Sequence, residues 1–428
     1  MSVAVAPGRP LRGEARVPGD KSITHRALLL GSIAQGDTVV RGFLDSGDCR
    51  ASVEVVQALG AQVVDEGEST IRVRGSGIGG LREPDNVLDC RGSGTTMRLL
   101  AGLLAGQPFT SVLTGNPALR SRPMGRIIEP LRRMGATVLG RDGDRLPPLA
   151  IRGGGLRGID YDLPVASAQV KSGILLAGLF ASGETTVREP RPTRDHTERM
   201  LAAMGAPVRS IPGAVTVAPA QGLDALALTV PGDLSSAAFL LAAATAVPGS
   251  ELLVQGVGVN LTRTGFLAIL SAMGGHFRVE NSRVEGGEPV ADLWVESAPL
   301  TATEVSGDLV PLAIDELPLV AVLATQARGV TVVREASELR LKESDRVATL
   351  VAELGKLGAQ IEALPDGYRV EGPTPLRGGT VECHADHRLA MCLAVAALCA
   401  VGPVTILGAE CAADSFPGFF ELLERLRS

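Results

Sequence analysis

The feature that most limits what this chain can become is an internal repeat of about 70 residues, a period at which each copy is one supersecondary unit that must stack on its neighbours to bury its apolar face. A helix-ending phrase recurs as Ala58-Leu-Gly-Ala61, Arg133-Met-Gly-Ala136, Ala203-Met-Gly-Ala206, Ala272-Met-Gly-Gly275 and Lys356-Leu-Gly-Ala359. A second phrase, glycine before a β-branched strand, recurs at Gly36, Gly183, Gly329 and Gly402, with looser copies at Gly106 and Gly249. The pattern predicts six units, three before Pro231 and three after it, each running helix, strand, helix, strand. The first helix of a unit is apolar nearly all round, as in Met97 to Ala105, Gly173 to Ala181, Ala237 to Val247, Leu317 to Thr325 and Leu389 to Val401. Such helices have no face to give to water, so three should lie inside each domain. The second is amphipathic, and Val347, Leu350, Val351 and Leu354 show the spacing of a half-buried helix.

Two copies of one turn, Val17-Pro18-Gly19-Asp20 and Val230-Pro231-Gly232-Asp233, each precede an apolar helix. Proline fixes one torsion, glycine permits the reversal and Asp caps the helix, so these are the expected crossings between halves. The sixth unit ends without a following strand, whereas Ser2 to Ala6 and Glu14 to Val17 are spare strand material. The expected domains are therefore 19–230, and 1–18 together with 231–428. Gly140 to Pro148 and Glu285 to Pro289 read as surface hairpin tips.

Composition excludes several functions. A net charge of −6 does not suit a broad nucleic-acid or acidic-membrane surface. The longest apolar runs fall short of the roughly 18 residues that span a bilayer, and the first residues lack a secretory signal, so a cytoplasmic protein is expected. Six cysteines without C-x-x-C spacing read as buried small hydrophobes in a reducing compartment. The histidines lack metal-ligand spacing and no phosphate-loop or dinucleotide motif follows a strand, so neither a metal nor a nucleotide cofactor is expected.

The polar residues opening the helices point to anions. Lys21-Ser22 with Arg26, Ser93-Gly94-Thr95 with Arg98, Ser167-Ala168-Gln169 with Lys171, Ser235-Ser236, Asp315-Glu316 and Asp386-His387-Arg388 stand at equivalent repeat positions. A helix N-terminus offers free amides and a positive dipole end. Lys21, Arg26, Arg122, Lys342, Arg346 and Arg388 add cations at these helix starts or in the loops just before the second helices, arginine as a bidentate fork and lysine as a mobile charge. Asp315, Glu316, Glu343 and Asp345 lie beside them, although Asp315 would also serve as a helix cap. Cations with carboxylates in one cleft suit proton transfer on a polyanionic substrate.

The stretches Pro18 to Leu30, Ser93 to Arg98, Leu113 to Pro117 with Arg122 to Gly125, Ala166 to Ser172, Arg194 to Glu198, Asp315 to Pro318, Lys342 to Arg346, Asp386 to Arg388 and Ser415 to Pro417 together resemble the 5-enolpyruvylshikimate-3-phosphate synthase family, the 3-phosphoshikimate 1-carboxyvinyltransferases. The resemblance implies an α/β fold, an inside-out α/β barrel pair with three βαβαββ repeats in each domain. It implies transfer of the enolpyruvyl group of phosphoenolpyruvate to the 5-hydroxyl of shikimate 3-phosphate by addition and elimination, without a covalent enzyme adduct; a monomer without cofactor is expected. By the same resemblance Lys21, Ser22, Arg26, Ser167, Ala168, Gln169, Thr193, Asp315 and Lys342 contact shikimate 3-phosphate. Lys21, Gly94, Arg122, Gln169, Arg346 and Arg388 contact phosphoenolpyruvate, and Asp315 and Glu343 carry the protons, with Lys342 and Lys21 assisting. The chain departs from the family at Arg91-Gly92, where Gly-Asn is frequent, at Asp414, where some branches have Lys, and at Ala168 and Glu338. UDP-N-acetylglucosamine enolpyruvyl transferases, of the same fold, place a reactive Cys in the loop matching Thr114 to Arg122, and this loop has none. A silent polyanion-binding module and an RNA-end-processing protein are the readings from other classes; the scarcity of aromatic stacking platforms argues against RNA.

Overall fold

The computed structural model describes residues 2–427 as an α/β protein of six small sheets. The chain divides into two compact units, one of Gly19–Val230 with Glu285–Glu288, the other of the residues up to Pro18, Pro231–Val284 and the residues from Pro289 onward.

The first unit contains three four-stranded sheets of one pattern. In each, a lead strand runs parallel to the strand after the inner helix, and a hairpin then adds two antiparallel strands. In the second repeat these are Leu88–Asp89, Thr110–Thr114, Leu146–Arg152 and Thr137–Gly140, in that order across the sheet, with Leu88 opposite Leu113 and Thr110 opposite Arg152. The third repeat uses Asp160–Asp162, Thr185–Arg188, Ala214–Val217 and Val208–Ile211. The first repeat takes its lead strand, Ala227–Thr229, from the far end of the unit, pairing Ala227 with Val39. The strand predicted after each second helix is thus a two-stranded hairpin. A β-strand needs a partner for its backbone groups, and a tight reversal supplies one locally.

Helices Lys21–Ser32, Gly94–Ala105 and Ala168–Gly178 are the inner ones, and beyond their first turns nearly every residue is buried. They start earlier than the apolar runs predicted because polar caps nucleate them: Asp20, Ser93 and Ser167 each accept the amide three residues on. Gly102 shows how tightly they meet, since a Cβ there would lie 1.9 Å from the Gly173 carbonyl oxygen. Helices Gly47–Ala58, Gly125–Met134 and His196–Ala203 cover the outside with one buried face each.

The second unit repeats the plan with inner helices Leu234–Ala246, Leu317–Ala324 and His387–Leu398. Arg12–Arg16 is the lead strand for Glu251–Gly258, pairing Arg12 with Glu251 in parallel. Ser2–Val5 runs antiparallel to Val404–Leu407, with Ser2 opposite Leu407, in a sheet whose third strand is Gly379–Glu382. Outer helix Arg346–Lys356 buries Val347, Leu350 and Leu354 and also Arg346 and Glu353, two charges its spacing did not disclose.

Glu285 to Pro289 is more than an exposed hairpin tip. Glu288 is buried and its carboxylate lies 2.7 Å from His196 Nδ1, and Gly287 accepts a hydrogen bond from Arg199. The cysteines also depart from a uniformly buried set: Cys49, Cys90, Cys383 and Cys392 are buried, Cys399 and Cys411 are half-buried, and all six are free thiols. Among the described residues no helix is long and apolar enough to cross a membrane.

Candidate active site

In the first unit, most candidate residues stand at the N-terminal ends of the inner helices, and Arg122 and Thr193 lie in the loops ahead of the outer helices Gly125–Met134 and His196–Ala203. Lys21 opens helix Lys21–Ser32, and its Nζ lies 2.6 Å from Asp48, in the first turn of the outer helix Gly47–Ala58. Ser22 and Arg26 follow one turn apart. Arg26 is 2 % exposed, with its guanidinium donating to the Ser22 carbonyl at 2.9 Å, Ser172 Oγ at 2.9 Å and Thr197 Oγ1 at 2.7 Å, while Arg194 donates to Ser22 Oγ at 3.3 Å. Arg26 therefore ties three helices together as well as carrying charge.

Gly94 begins its helix directly against two guanidinium groups. A Cβ on Gly94 would stand 3.0 Å from Nη1 of Arg122 and 3.0 Å from Nη1 of Arg98. Arg98 donates to Gln169 Oε1 at 2.5 Å and to the Pro123 carbonyl at 3.1 Å, and Gln169 Nε2 donates to Thr95 at 2.8 Å. Gly94, Arg122 and Gln169 thus form one contiguous group. Ser167 caps the helix that opens with Ala168, its Oγ accepting from Val170 N at 3.4 Å. Thr193 donates to Glu189 at 2.6 Å, and Glu189 with Glu198 flanks the buried Lys171 ammonium at 3.1 and 2.7 Å.

His25 is no acid or base here. It is wholly buried, with Nδ1 2.9 Å from Ser52 Oγ, and burial, with Lys21 nearby, pushes its pKa down to about 3. The neutral ring joins a hydroxyl chain through Ser52 and Thr96 to Ser93, the cap of the Gly94 helix.

In the second unit Asp315, Lys342, Glu343, Arg346 and Arg388 form a single ionic cluster. Asp315 lies 3.7 Å from Lys342, 3.4 Å from Arg346 and 3.9 Å from Arg388. Arg346 is 2 % exposed and also pairs with Glu343 at 2.6 Å and Asp386 at 2.8 Å. Burial alone would lower its pKa, but Asp386, Glu343 and Asp315 outweigh that and raise it, so the guanidinium stays charged. Burial would likewise raise Asp386, yet Arg346 holds it below the ordinary carboxylate range. Asp386 also accepts the amides of Arg388 and Leu389, so one carboxylate caps helix His387–Leu398 and fixes Arg346.

Asp315, offered as a cap, is not one: Glu316 precedes helix Leu317–Ala324, no side chain caps it, and Asp315 faces the cations instead. Nor does Ser235 cap its helix. Asp233 does so, leaving Ser235 Oγ to donate to Glu316 and accept from Arg263. Motif reading did not disclose the counter-ions Asp48 and Asp386 in those roles, though an acid in a helix's first turn could have flagged Asp48 and an acid at the cap position Asp386. Surface cavities of 550 and 470 Å³ beside helix Gly125–Met134, and of 450 Å³ beside Phe416, contain none of the candidate residues. Among the described residues no three His, Cys, Asp or Glu side chains are placed to hold a metal ion.

Known proteins show the same arrangement of sequence and fold. The family model of EPSP synthase (3-phosphoshikimate 1-carboxyvinyltransferase) matches residues 5–423. A 3-phosphoshikimate 1-carboxyvinyltransferase of Citrifermentans bemidjiense is 53% identical over 424 residues, covering 99% of each chain. One from an Anaeromyxobacter species is 56% identical over 418 residues, covering 97% of this chain and 96% of its own. The structure of EPSP synthase from Acinetobacter baumannii superposes with a TM-score of 0.88 at 44% identity, over 99% of this chain and 98% of that one. The enolpyruvyl transferase NikO from Streptomyces tendae, at 20% identity and a TM-score of 0.80 over 99% of this chain and 96% of its own, shares the fold. With a family model spanning almost the whole chain and relatives more than half identical at full length, this chain belongs to the EPSP synthase (3-phosphoshikimate 1-carboxyvinyltransferase) family.

Proposed function

We propose that the Asp315, Lys342, Glu343, Arg346 and Arg388 cluster carries the chemistry of enolpyruvyl transfer. The chain is a 3-phosphoshikimate 1-carboxyvinyltransferase of the shikimate pathway, serving aromatic amino-acid biosynthesis. It moves the enolpyruvyl group of phosphoenolpyruvate to the 5-hydroxyl of shikimate 3-phosphate and releases phosphate. The hydroxyl oxygen adds to C2 of phosphoenolpyruvate as a proton reaches C3. The tetrahedral adduct then expels phosphate as C3 gives a proton up.

Arg122, Arg346 and Arg388, with Lys21, Gly94 and Gln169, bind phosphoenolpyruvate. Lys21, Ser22, Arg26, Ser167, Ala168, Gln169, Thr193, Asp315 and Lys342 bind shikimate 3-phosphate, with Ala168 contributing only backbone and a methyl group. Asp315 and Glu343 carry the two protons, assisted by Lys342 and Lys21. The enzyme acts as a cytoplasmic monomer, in two domains that follow the division at Pro18 and Pro231.

One observation carries this reading: a buried, permanently charged Arg346 shares its carboxylates with a cluster that includes Lys342 and Arg388 around Asp315. Preorganised charge of this kind stabilises a developing polyanion without reorganising at the moment of reaction. Phosphate release settles the matter. It should require phosphoenolpyruvate and shikimate 3-phosphate together; release with UDP-N-acetylglucosamine in place of shikimate 3-phosphate, or with neither acceptor, would overturn it.

A further inference from the structure

Two thiols outside the ionic cluster meet at its base. Cys383 Sγ and Cys411 Sγ lie 3.3 Å apart, although 28 residues separate them in the chain. Cys383 is buried at the end of strand Gly379–Glu382, and Cys411 is half-buried on the short 3-10 helix Ala409–Asp414. A disulfide needs about 2.05 Å, a closure within reach of small side-chain rotations.

Cys383 also anchors the turn that presents the site. Its thiol donates to the Gly408 carbonyl at 3.0 Å, and its own carbonyl accepts the Asp386 amide at 2.9 Å. Between them His384 and Ala385 stand at φ 50° and 54°, a left-handed stretch costly for residues with a Cβ. His384 is held there by Glu353 at 2.8 Å. The turn ends at Asp386, which grips Arg346 and caps the helix carrying Arg388.

We propose that Cys383 and Cys411 are an oxidation site, closed to a disulfide by a low-molecular-weight disulfide such as glutathione disulfide, and that the closed form binds phosphoenolpyruvate more weakly. Cys411, the more exposed of the two, attacks one sulfur of the oxidant as it loses its proton, forming a mixed disulfide and expelling one thiolate, which takes that proton up. Cys383 sulfur then attacks Cys411 sulfur, expelling the second. Both thiol protons end on the two released thiols, so the oxidant gains the two electrons the protein loses. Closure removes the S–H donor from Gly408 and draws the base of the strained turn toward Cys411. Such reversible pairs are the usual form of disulfide in a reducing compartment.

The effect on substrate rests on the function proposed above; the bond itself does not. The full chain is treated with glutathione disulfide, alkylated after denaturation and weighed. Two of its six thiols should be lost to alkylation, with a 383–411 linked peptide, and the KM for phosphoenolpyruvate should rise roughly fivefold, about 1 kcal/mol, and return with dithiothreitol. Cys411→Ser should keep the untreated KM and ignore the oxidant. An absent link, a stable mixed disulfide, a linked enzyme with unchanged KM, or a Cys411→Ser enzyme that still loses affinity would each overturn the proposal. A chain that forms the link but never releases phosphate would fail the function instead, and the peptide map would still have tested the pair.

Discussion

Gly94→Ala separates the fold from the site because the two respond with opposite sign. Gly94 is the first residue of its helix, where alanine is the better helix former by up to ~1 kcal/mol, and the change also reduces unfolded-chain entropy. Nothing in the backbone opposes it. The methyl group, however, would lie 3.0 Å from Arg122 Nη1 and Arg98 Nη1 and 3.1 Å from Arg122 Cζ. Comfortable contacts of carbon lie near 3.5 Å or beyond, so the guanidinium groups must retreat by about 0.5 Å. That is cheap for the fold, since both atoms end flexible side chains. For recognition it is not, because about 0.5 Å is the tolerance of a preorganised site. Arg98 is moreover fastened to Gln169, so the disturbance reaches a second candidate contact. Losing one charge-assisted hydrogen bond costs ~1.5–3 kcal/mol, or about 10- to 100-fold in affinity. Steady-state kinetics at saturating shikimate 3-phosphate should show the KM for phosphoenolpyruvate raised at least about tenfold, while the melting temperature holds or rises. An unchanged KM would remove Arg122 from phosphoenolpyruvate; a melting temperature several degrees lower would show that the guanidinium groups cannot yield and that the steric argument is wrong.

Arg346→Met should lower stability by ~3–5 kcal/mol, because it strands the fully buried Asp386 without its counter-ion; a urea midpoint equal to that of the parent would refute the buried pair. Arg122→Ala and Arg388→Ala should weaken phosphoenolpyruvate use far more than they lower the melting temperature, and an untouched KM would exclude either residue from the site. His25→Asn should flatten the acid limb of stability. With a folded pKa of about 3, His25 stays neutral while the unfolded chain takes up a proton below its ordinary pKa. Stability therefore falls with pH from roughly 6.5 down to about 3, at up to ~1.4 kcal/mol per pH unit from this group. Denaturant titrations of both proteins across that range should diverge downward for the parent, and parallel curves would contradict a buried neutral imidazole.

What the sequence disclosed and what it withheld divide along a physical line. Helices such as Leu317–Ala324 and His387–Leu398 were legible because a segment without a polar face has only one environment open to it. The ends were less so: Asp20, Ser93 and Asp386 extend their helices through one or two cap bonds, which an apolar count does not register. Candidate cations were legible as a set because the repeat put them at equivalent helix starts or in the loops just ahead of outer helices. Their partners were not. Asp386 and Arg346 stand 40 residues apart, and which carboxylate meets which cation is decided by side-chain approach between elements rather than by period. Glu288 was hidden for the same reason, since a loop composition says nothing about the His196 ring it meets. The Cys383 and Cys411 contact likewise depends on a turn and a 3-10 helix folding onto one strand end.

The two groups of candidate residues also differ in how far function can be separated from stability. Around Arg346 they are fused. Asp386 caps one helix, anchors the guanidinium opening the preceding one and takes a hydrogen bond from Ser344, so any change to this cluster is felt first as a buried unpaired charge. That fusion keeps a fully buried arginine charged and aimed, which is what a site for doubly anionic substrates needs. Around Gly94 and Arg122 the demand is met by the absence of an atom. The glycine leaves room for guanidinium groups to lie against a helix start, and restoring a methyl group leaves the core intact. Variation that retunes anion affinity while sparing the fold should therefore concentrate at the Gly94 helix start, and substitutions at Arg346 or Asp386 should be tolerated only where a second change restores the buried charge balance.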